Sequence, residues 1–143
     1  MPTRRASGTW NGTLKDGDGS FRGASGAVEA PYSFGSRFEE AGGTNPEELI
    51  GAALAACFSM ALSGNLERAG GKPERVHTDA ATTIERSGDG FRITRIHLDT
   101  RARASDIDED TFQETARKTR DTCPVSMALQ DGVEITLDAA LES

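Results

Sequence analysis

Thr44 to Gly71 reads TNPEELIGAALAACFSMALSGNLERAGG, and this stretch decides the fold. It opens with a helix start. Asn45 is a good N-cap, Pro46 suits the first helical position, and Glu48 falls at the third, where it can complete a capping box with Asn45. It closes with a stop, Gly70-Gly71 with Pro73 beyond. Between them Leu49 to Leu62 is an apolar run, LIGAALAACFSMAL. Leu49, Ala53, Ala56, Cys57, Met60 and Ala61 share one broad face, and Gly51, Ala52 and Ala55 leave the other side nearly smooth. A helix apolar all round is expected to be buried on all sides, with small residues that admit another helix at close range. The run is too short to span a bilayer and reads as a buried core helix.

On the N-terminal side the chain looks like short strands with glycine turns. Thr9 to Leu14 and Ser20 to Arg22 flank Lys15-Asp16-Gly17-Asp18-Gly19, a hairpin signal. Val28-Glu29-Ala30 and Tyr32-Ser33-Phe34 are further strand-like pieces, and Met1 to Ala6 is expected to fray. On the C-terminal side Val76, Thr78, Ala80, Thr82 and Ile84 alternate, Ser87 to Gly90 turns the chain, and Phe91 and Ile93 alternate again. The phase then slips to Ile96, Leu98, Thr100 and Ala102, which predicts a bulge near Arg95. Asp106 or Asp108 caps a second helix carrying Ile107, Phe112 and Ala116 inward, and Pro124 opens a short third one to Gln130. Asp131-Gly132 leads into a last strand with Val133, Ile135, Leu137 and Ala139 alternating. The order predicts an α+β fold, antiparallel sheets packed on a long central buried helix. No repeat or low-complexity linker interrupts it, so residues 1–143 are expected to form a single domain.

Composition narrows the function. A chain of 143 residues, 36% hydrophobic and 27% charged, can build a real core and belongs with globular proteins. A net charge of -7 argues against nucleic acid or an anionic membrane as partner, and 6% aromatics leave little for base stacking. Arg4-Arg5 looks like a twin-arginine start, but the polar GTWNGTLKDGDG follows where an apolar segment is needed. A cytoplasmic protein is expected. In that reducing environment a cysteine pair reads as catalytic or redox-sensing rather than as a permanent staple. Two cysteines and two histidines at these spacings make no convincing zinc site, and no cofactor is expected.

Most of the chemistry lies at the two cysteines. Cys57 is mid-helix, where the helix dipole gives little and an apolar setting disfavours the thiolate, so a reactive Cys57 needs a cation. Cys123, in TRDTCPVSMAL, precedes a proline at a helix start and could gain from the exposed N–H groups there. On composition alone both read first as small buried hydrophobes, a common fate of free cysteine. His77 and His97 fall on predicted strands, remote from either motif. The acidic cluster Asp106, Asp108, Glu109 and Asp110 suits a helix N-terminus rather than a metal site.

TNPEELIGAALAACFSMAL resembles the first-cysteine segment of the OsmC/Ohr family, the osmotically inducible and organic-hydroperoxide-resistance proteins. CPVSMAL resembles the family's second-cysteine segment, YSFGSRFE (Tyr32 to Glu39) its OsmC-branch arginine loop, and the closing EITLDAAL also fits. The resemblance runs from about Trp10 to the end, and the place of Arg37 well into the chain favours the OsmC branch. It implies a cysteine-based peroxidase with an OsmC-like fold and an intertwined homodimer. By position Cys57 would be the peroxidatic thiol, oxidised to a sulfenic acid, and Cys123 the resolving one that condenses with it to a disulfide. Arg37 would supply the cation and Glu47 would hold its guanidinium by a bidentate pair. The implied reductant is a dithiol such as dihydrolipoamide on a lipoylated protein, and the implied role is defence against oxidative and osmotic stress.

A buried apolar pocket would suit organic hydroperoxides, with hydrogen peroxide as a second substrate. Phe38, Phe58, Met60, Met127 and Leu129 are its candidate walls, each of which taken singly reads first as core packing. Glu47 and Cys57 stand ten residues apart on one helix, roughly 15 Å along the axis and about 80° around it. If Glu47 serves Cys57 as the resemblance implies, it is expected to reach it from a second chain whose equivalent helix runs antiparallel, in a two-fold dimer with shared sites. Two other readings remain open: a redox sensor using the same pair without turnover, and a protein that binds a small apolar ligand with inert thiols.

Overall fold

The computed structural model describes residues 1–142, which form two compact units, Met1–Leu49 and the chain from Ile50 onward. In the first, β1 (Ala6–Asn11), β2 (Asp18–Gly23) and β3 (Glu29–Tyr32) make an antiparallel sheet in that order. Trp10 and Tyr32 both pair with Gly19 of the middle strand, and their rings lie 5.4 Å apart across it. The strand-like reading of Tyr32-Ser33-Phe34 needs correction: the strand stops at Tyr32. Ser33 caps a one-turn helix, α1 (Phe34–Phe38), by a reciprocal box in which Ser36 N donates to Ser33 Oγ and Ser33 N to Ser36 Oγ. Ala6, expected to fray, already pairs with Gly23.

The helix α2 (Pro46–Arg68) begins where the sequence expects it. Glu48 N donates to Asn45 Oδ1 at 2.8 Å, but the Glu48 carboxylate takes the Thr44 hydroxyl rather than returning to Asn45. At its end Gly70, at φ +95, adopts the left-handed turn that only glycine enters cheaply. Gly70 N then bonds Glu67 O and Gly71 N bonds Leu66 O, the paired C-terminal closure expected of such a stop.

In the second unit β4 (Lys72–Ser87) and β5 (Gly90–Ser105) form a long antiparallel hairpin. Thr83 pairs with Arg95 and Ile84 with Ile93, so Thr94 is the extra residue of the predicted bulge. Beyond it Ile96, Leu98, Thr100, Ala102 and Ala104 face the core. Then come α3 (Glu109–Thr122), α4 (Pro124–Leu129) and β6 (Glu134–Glu142). Asp108 is the cap of α3, its carboxylate accepting Thr111 N at 2.7 Å, and Asp106 instead pairs with Lys72.

The sheet departs from the expected wholly antiparallel pairing, since β6 runs parallel to β5. The two helices between them carry the chain back to the same end, a helical crossover that parallel neighbours require. Alternation in β6 fixes its two faces but carries no information about its direction.

The core joins Leu54, Phe58, Leu62 and Leu66 of α2 to Ile96 and Leu98 of β5 and Phe112 and Ala116 of α3. The helix is thus not buried on all sides, and the packed face is not the one read from sequence. Ala53, Ala56 and Met60 are exposed, while the stripe of larger side chains at every fourth position is fully buried. With alanine and glycine on every side, hydrophobicity is nearly uniform around α2 and bulk decides which face packs. Gly51 brings the helix onto β4, where a Cβ would come within 2.8 Å of Thr82 Oγ1. At 23 residues α2 is long and apolar enough to cross a membrane by length and composition, although its leucine stripe is occupied as the core of this unit.

Candidate functional site

The second unit brings its two cysteines to one cleft of about 550 Å³. Cys57, Met60 and Ala61 line it from α2, and Thr122, Cys123 and Pro124 from the α3–α4 junction. The junction follows from its sequence. Proline disfavours the helical region for the residue before it, and Cys123 adopts φ -66, ψ 142, ending α3 and starting α4 in one residue. Cys123 N still closes the last turn of α3 on Thr119 O at 3.0 Å. Cys57 is half-buried and Cys123 only 2% exposed, and both are free thiols.

Burial pushes the Cys123 thiol above its ordinary value, the Ser126 backbone N–H pulls the other way, and the neighbouring Cys57 adds a further upward push through charge and a side-chain hydrogen bond. Cys123 is therefore a protonated thiol at neutral pH. The helix-terminus gain expected from sequence is real but smaller than the cost of burial.

The first unit holds the other expected pair. Arg37 lies on α1 and Glu47 in the first turn of α2, and Asn45 fixes one to the other. Its Nδ2 donates to Ser36 O at 2.8 Å while its Oδ1 caps α2. The guanidinium meets the carboxylate through Nε at 2.9 Å and Nη2 at 2.8 Å. Both contacts fall on Oε1, so the pair is not the two-oxygen fork expected from sequence. Glu47 Oε2 is buried without a partner, although the Glu47 side chain is only 7% exposed. An unpaired buried carboxylate oxygen is costly, so this geometry leaves room for a further donor.

The candidate wall residues separate. Met60 lines the thiol cleft. Phe38 stacks under the Arg37 guanidinium at 5.0 Å and lines a smaller aromatic cleft of the first unit with Trp10, Tyr32 and Phe34. Phe58 is wholly inside the core, Leu129 packs against it, and Met127 is exposed; none of the three lines the thiol cleft. Sequence reading missed Gly64, Asn65 and Arg68, along which the cleft continues. The signal was the spacing Cys57, Ala61, Gly64, Arg68, which repeats one helical face.

Residues 39–138 match the family model described as OsmC-like protein. The chain is 46% identical over 135 residues to the Peroxiredoxin OsmC of Escherichia coli (strain K12), covering 94% of this chain and 93% of that one. It is 31% identical over 117 residues to an organic hydroperoxide resistance protein of Xanthomonas axonopodis pv. citri (strain 306), covering 80% of each. Among solved structures, an organic hydroperoxide resistance protein OsmC from Legionella pneumophila superposes with a TM-score of 0.73 at 21% identity, covering 100% of this chain and 98% of that one.

Proposed function

The chain belongs to the OsmC-like protein family and is a cysteine-based peroxidase, and on that premise we propose that it reduces organic hydroperoxides through a Cys57 sulfenic acid and a Cys57–Cys123 disulfide. The observation that carries this reading is the opening of both thiols onto one cleft. The Cys57 thiolate attacks the distal oxygen of ROOH, the O–O bond breaks, and the alkoxide leaves as ROH with a proton from the site. Cys123 then attacks the Cys57 sulfur. Its proton leaves with the hydroxide as water, and a disulfide remains. A dithiol such as dihydrolipoamide on a lipoylated protein returns both thiols and is itself oxidised. Hydrogen peroxide is a second substrate by the same steps, and the role is defence against oxidative and osmotic stress. Two free cysteines fit a reducing cytoplasm.

Arg37 supplies the positive charge that favours thiolate at Cys57, and Glu47 orients it. Both come from a second copy of the chain, in a homodimer with shared sites. Three observations support that assembly. Ala53, Ala56 and Met60 leave an apolar side of α2 uncovered, with Met60 82% exposed. The first unit buries no large apolar side chain of its own among the described residues. Glu47 Oε2 lacks a donor.

The test is the intact mass of the reduced protein after one equivalent of cumene hydroperoxide, with thiol titration alongside. Loss of two hydrogens and of both thiols supports the disulfide route. An unchanged mass with both thiols still titratable removes it.

A further inference from the structure

Pro124 breaks the chain between α3 and α4, and the break leaves an acceptor without its donor. In an uninterrupted helix the carbonyl of Arg120 would take the N–H of the residue four places on. Pro124 stands there and has no N–H. A side chain takes its place: Ser126 Oγ donates to Arg120 O. Ser126 is wholly buried in the first turn of α4. Its own carbonyl accepts Gln130 N at 2.8 Å, so the residue is a regular member of that helix. One hydroxyl thus ties the start of α4 to the last turn of α3.

Cys123 sits between the two. On its N-terminal side the last turn of α3 is held to α2. Asn65 Nδ2 donates to Thr119 Oγ1 at 2.8 Å, and Thr119 O accepts Cys123 N at 3.0 Å. The orientation of the Asn65 amide is fixed in turn, since its Oδ1 accepts Arg68 Nη1 at 2.9 Å. Asn65 belongs to the helix that carries Cys57, so these contacts set the Cys123 main chain relative to the other thiol. On the C-terminal side Ser126 does the corresponding work. Cys123 is the N-cap residue of α4 and makes no side-chain cap bond there. Burial raises its thiol most, and the Ser126 N–H is the strongest of the influences that lower it. Where that N–H stands is set by the Ser126 hydroxyl.

We propose that Ser126 is a positioning residue for the resolving step: by giving Arg120 O the donor that Pro124 lacks, its hydroxyl holds the first turn of α4, and the backbone N–H that faces Cys123, in place for the attack of Cys123 on oxidised Cys57. This inference rests on the disulfide route proposed above. In that step a bond forms between the two sulfurs, the S–O bond of the Cys57 sulfenic acid breaks, and the Cys123 proton leaves with the hydroxide as water. The attacking species is the thiolate, the form that a backbone N–H favours. Ser126 does not line the thiol cleft, so the oxidation of Cys57 should not depend on it. The positioning of one ordinary hydrogen bond corresponds to on the order of fivefold in rate.

The test follows the reduced protein through one oxidation in excess cumene hydroperoxide, without reductant, acid-quenched at intervals and read by intact mass. Gain of one oxygen reports the oxidation of Cys57, and its replacement by loss of two hydrogens reports resolution. In Ser126→Ala the first step should keep the wild-type rate and the second should slow by on the order of fivefold at neutral pH. The pH profile of resolution should move to higher pH, so that the deficit closes as Cys123 ionises unaided. Ser126→Thr, which keeps the hydroxyl, should resolve at the wild-type rate. Wild-type resolution in Ser126→Ala, a deficit equal at every pH, an equal slowing of both steps, or a Ser126→Thr protein as slow as Ser126→Ala overturns the proposal. A wild-type protein that forms no disulfide overturns the disulfide route itself, and the proposal with it; a wild type that forms one beside an unaffected Ser126→Ala overturns the role of Ser126 alone.

Discussion

The two units are held by different forces. Leu54, Phe58, Leu62, Leu66, Ile96, Leu98 and Phe112, all fully buried, belong to the second. In the first the buried side chains are polar, Ser36 and Glu47, tied by a capping box and an ion pair. The candidate site residues divide in the same way, the two thiols in the unit with the apolar core and the guanidinium–carboxylate pair in the unit without one. A three-stranded sheet with no packed apolar face is marginal alone. Its polar centre gives direction and charge but little stability, which is the physical reason to look to a second copy for its cover.

The sharpest way to break this comparison is Cys57→Ser. If the nucleophile lies in the second unit, peroxide-dependent turnover should vanish while chemical denaturation is little changed. Residual turnover with cumene hydroperoxide would remove Cys57 from the reaction. Next in size, Phe58→Ala should cost about 3–5 kcal/mol in urea melts as a core truncation. Phe34→Ala, at a half-buried position of the first unit, should cost far less. Similar losses would mean that the first unit carries more packing than its burial indicates.

Arg37→Lys sharpens the division of labour. A charge-assisted hydrogen bond is worth about 1.5–3 kcal/mol, so losing the guanidinium fork should slow the oxidation of Cys57 by on the order of 10-fold or more. Stopped-flow peroxide consumption under single turnover would measure this, and a wild-type rate would take Arg37 out of the mechanism. If Arg37 acts from a second copy, mixing Arg37→Lys with Cys57→Ser chains should produce heterodimers with one fully composed site and recover activity.

The smaller effects concern pH. Cys123 is raised above the ordinary 9.0, with burial the main cause. A thiol raised in the folded state binds its proton more tightly there than in the unfolded chain. Its stabilising contribution is therefore complete below 9.0 and is lost as pH climbs through the raised value. Reduced wild-type protein should lose stability in that range more steeply than Cys123→Ala, and parallel curves would show that the burial carries no such linkage. Asp108 is lowered from 3.8, first by the Thr111 backbone N–H it accepts. Its contribution is present above 3.8 and fades as pH falls through the lowered value. Asp108→Asn should keep the cap but abolish that pH dependence, as acid melts would register.

Much of the site was legible because its signals are local. The Asn45 cap, the Gly70-Gly71 stop, the extra residue in β5 and the break that Pro124 imposes at Cys123 each depend on a few neighbouring residues and on backbone sterics, and they fixed where both cysteines stand in their elements. The motifs around Cys57, Cys123 and Arg37 supplied the family. Other features lie outside what a pattern can encode. Alternation in β6 is the same whether the strand runs up or down, so only the crossover through α3 and α4 set it parallel. A helix of alanine and glycine presents no preferred face, so only the bulk of Leu54, Phe58, Leu62 and Leu66 against β5 and α3 decided which side is inside. Arg37 meets a single oxygen of Glu47, and Arg68 turns back along the thiol cleft, because Asn45 and Asn65 hold them there through contacts with Ser36 and Thr119. Sequence alone thus determined most of the elements and the family, while direction, facing and hydrogen-bond geometry were decided by tertiary structure, since they depend on residues that are neighbours only once the chain has folded.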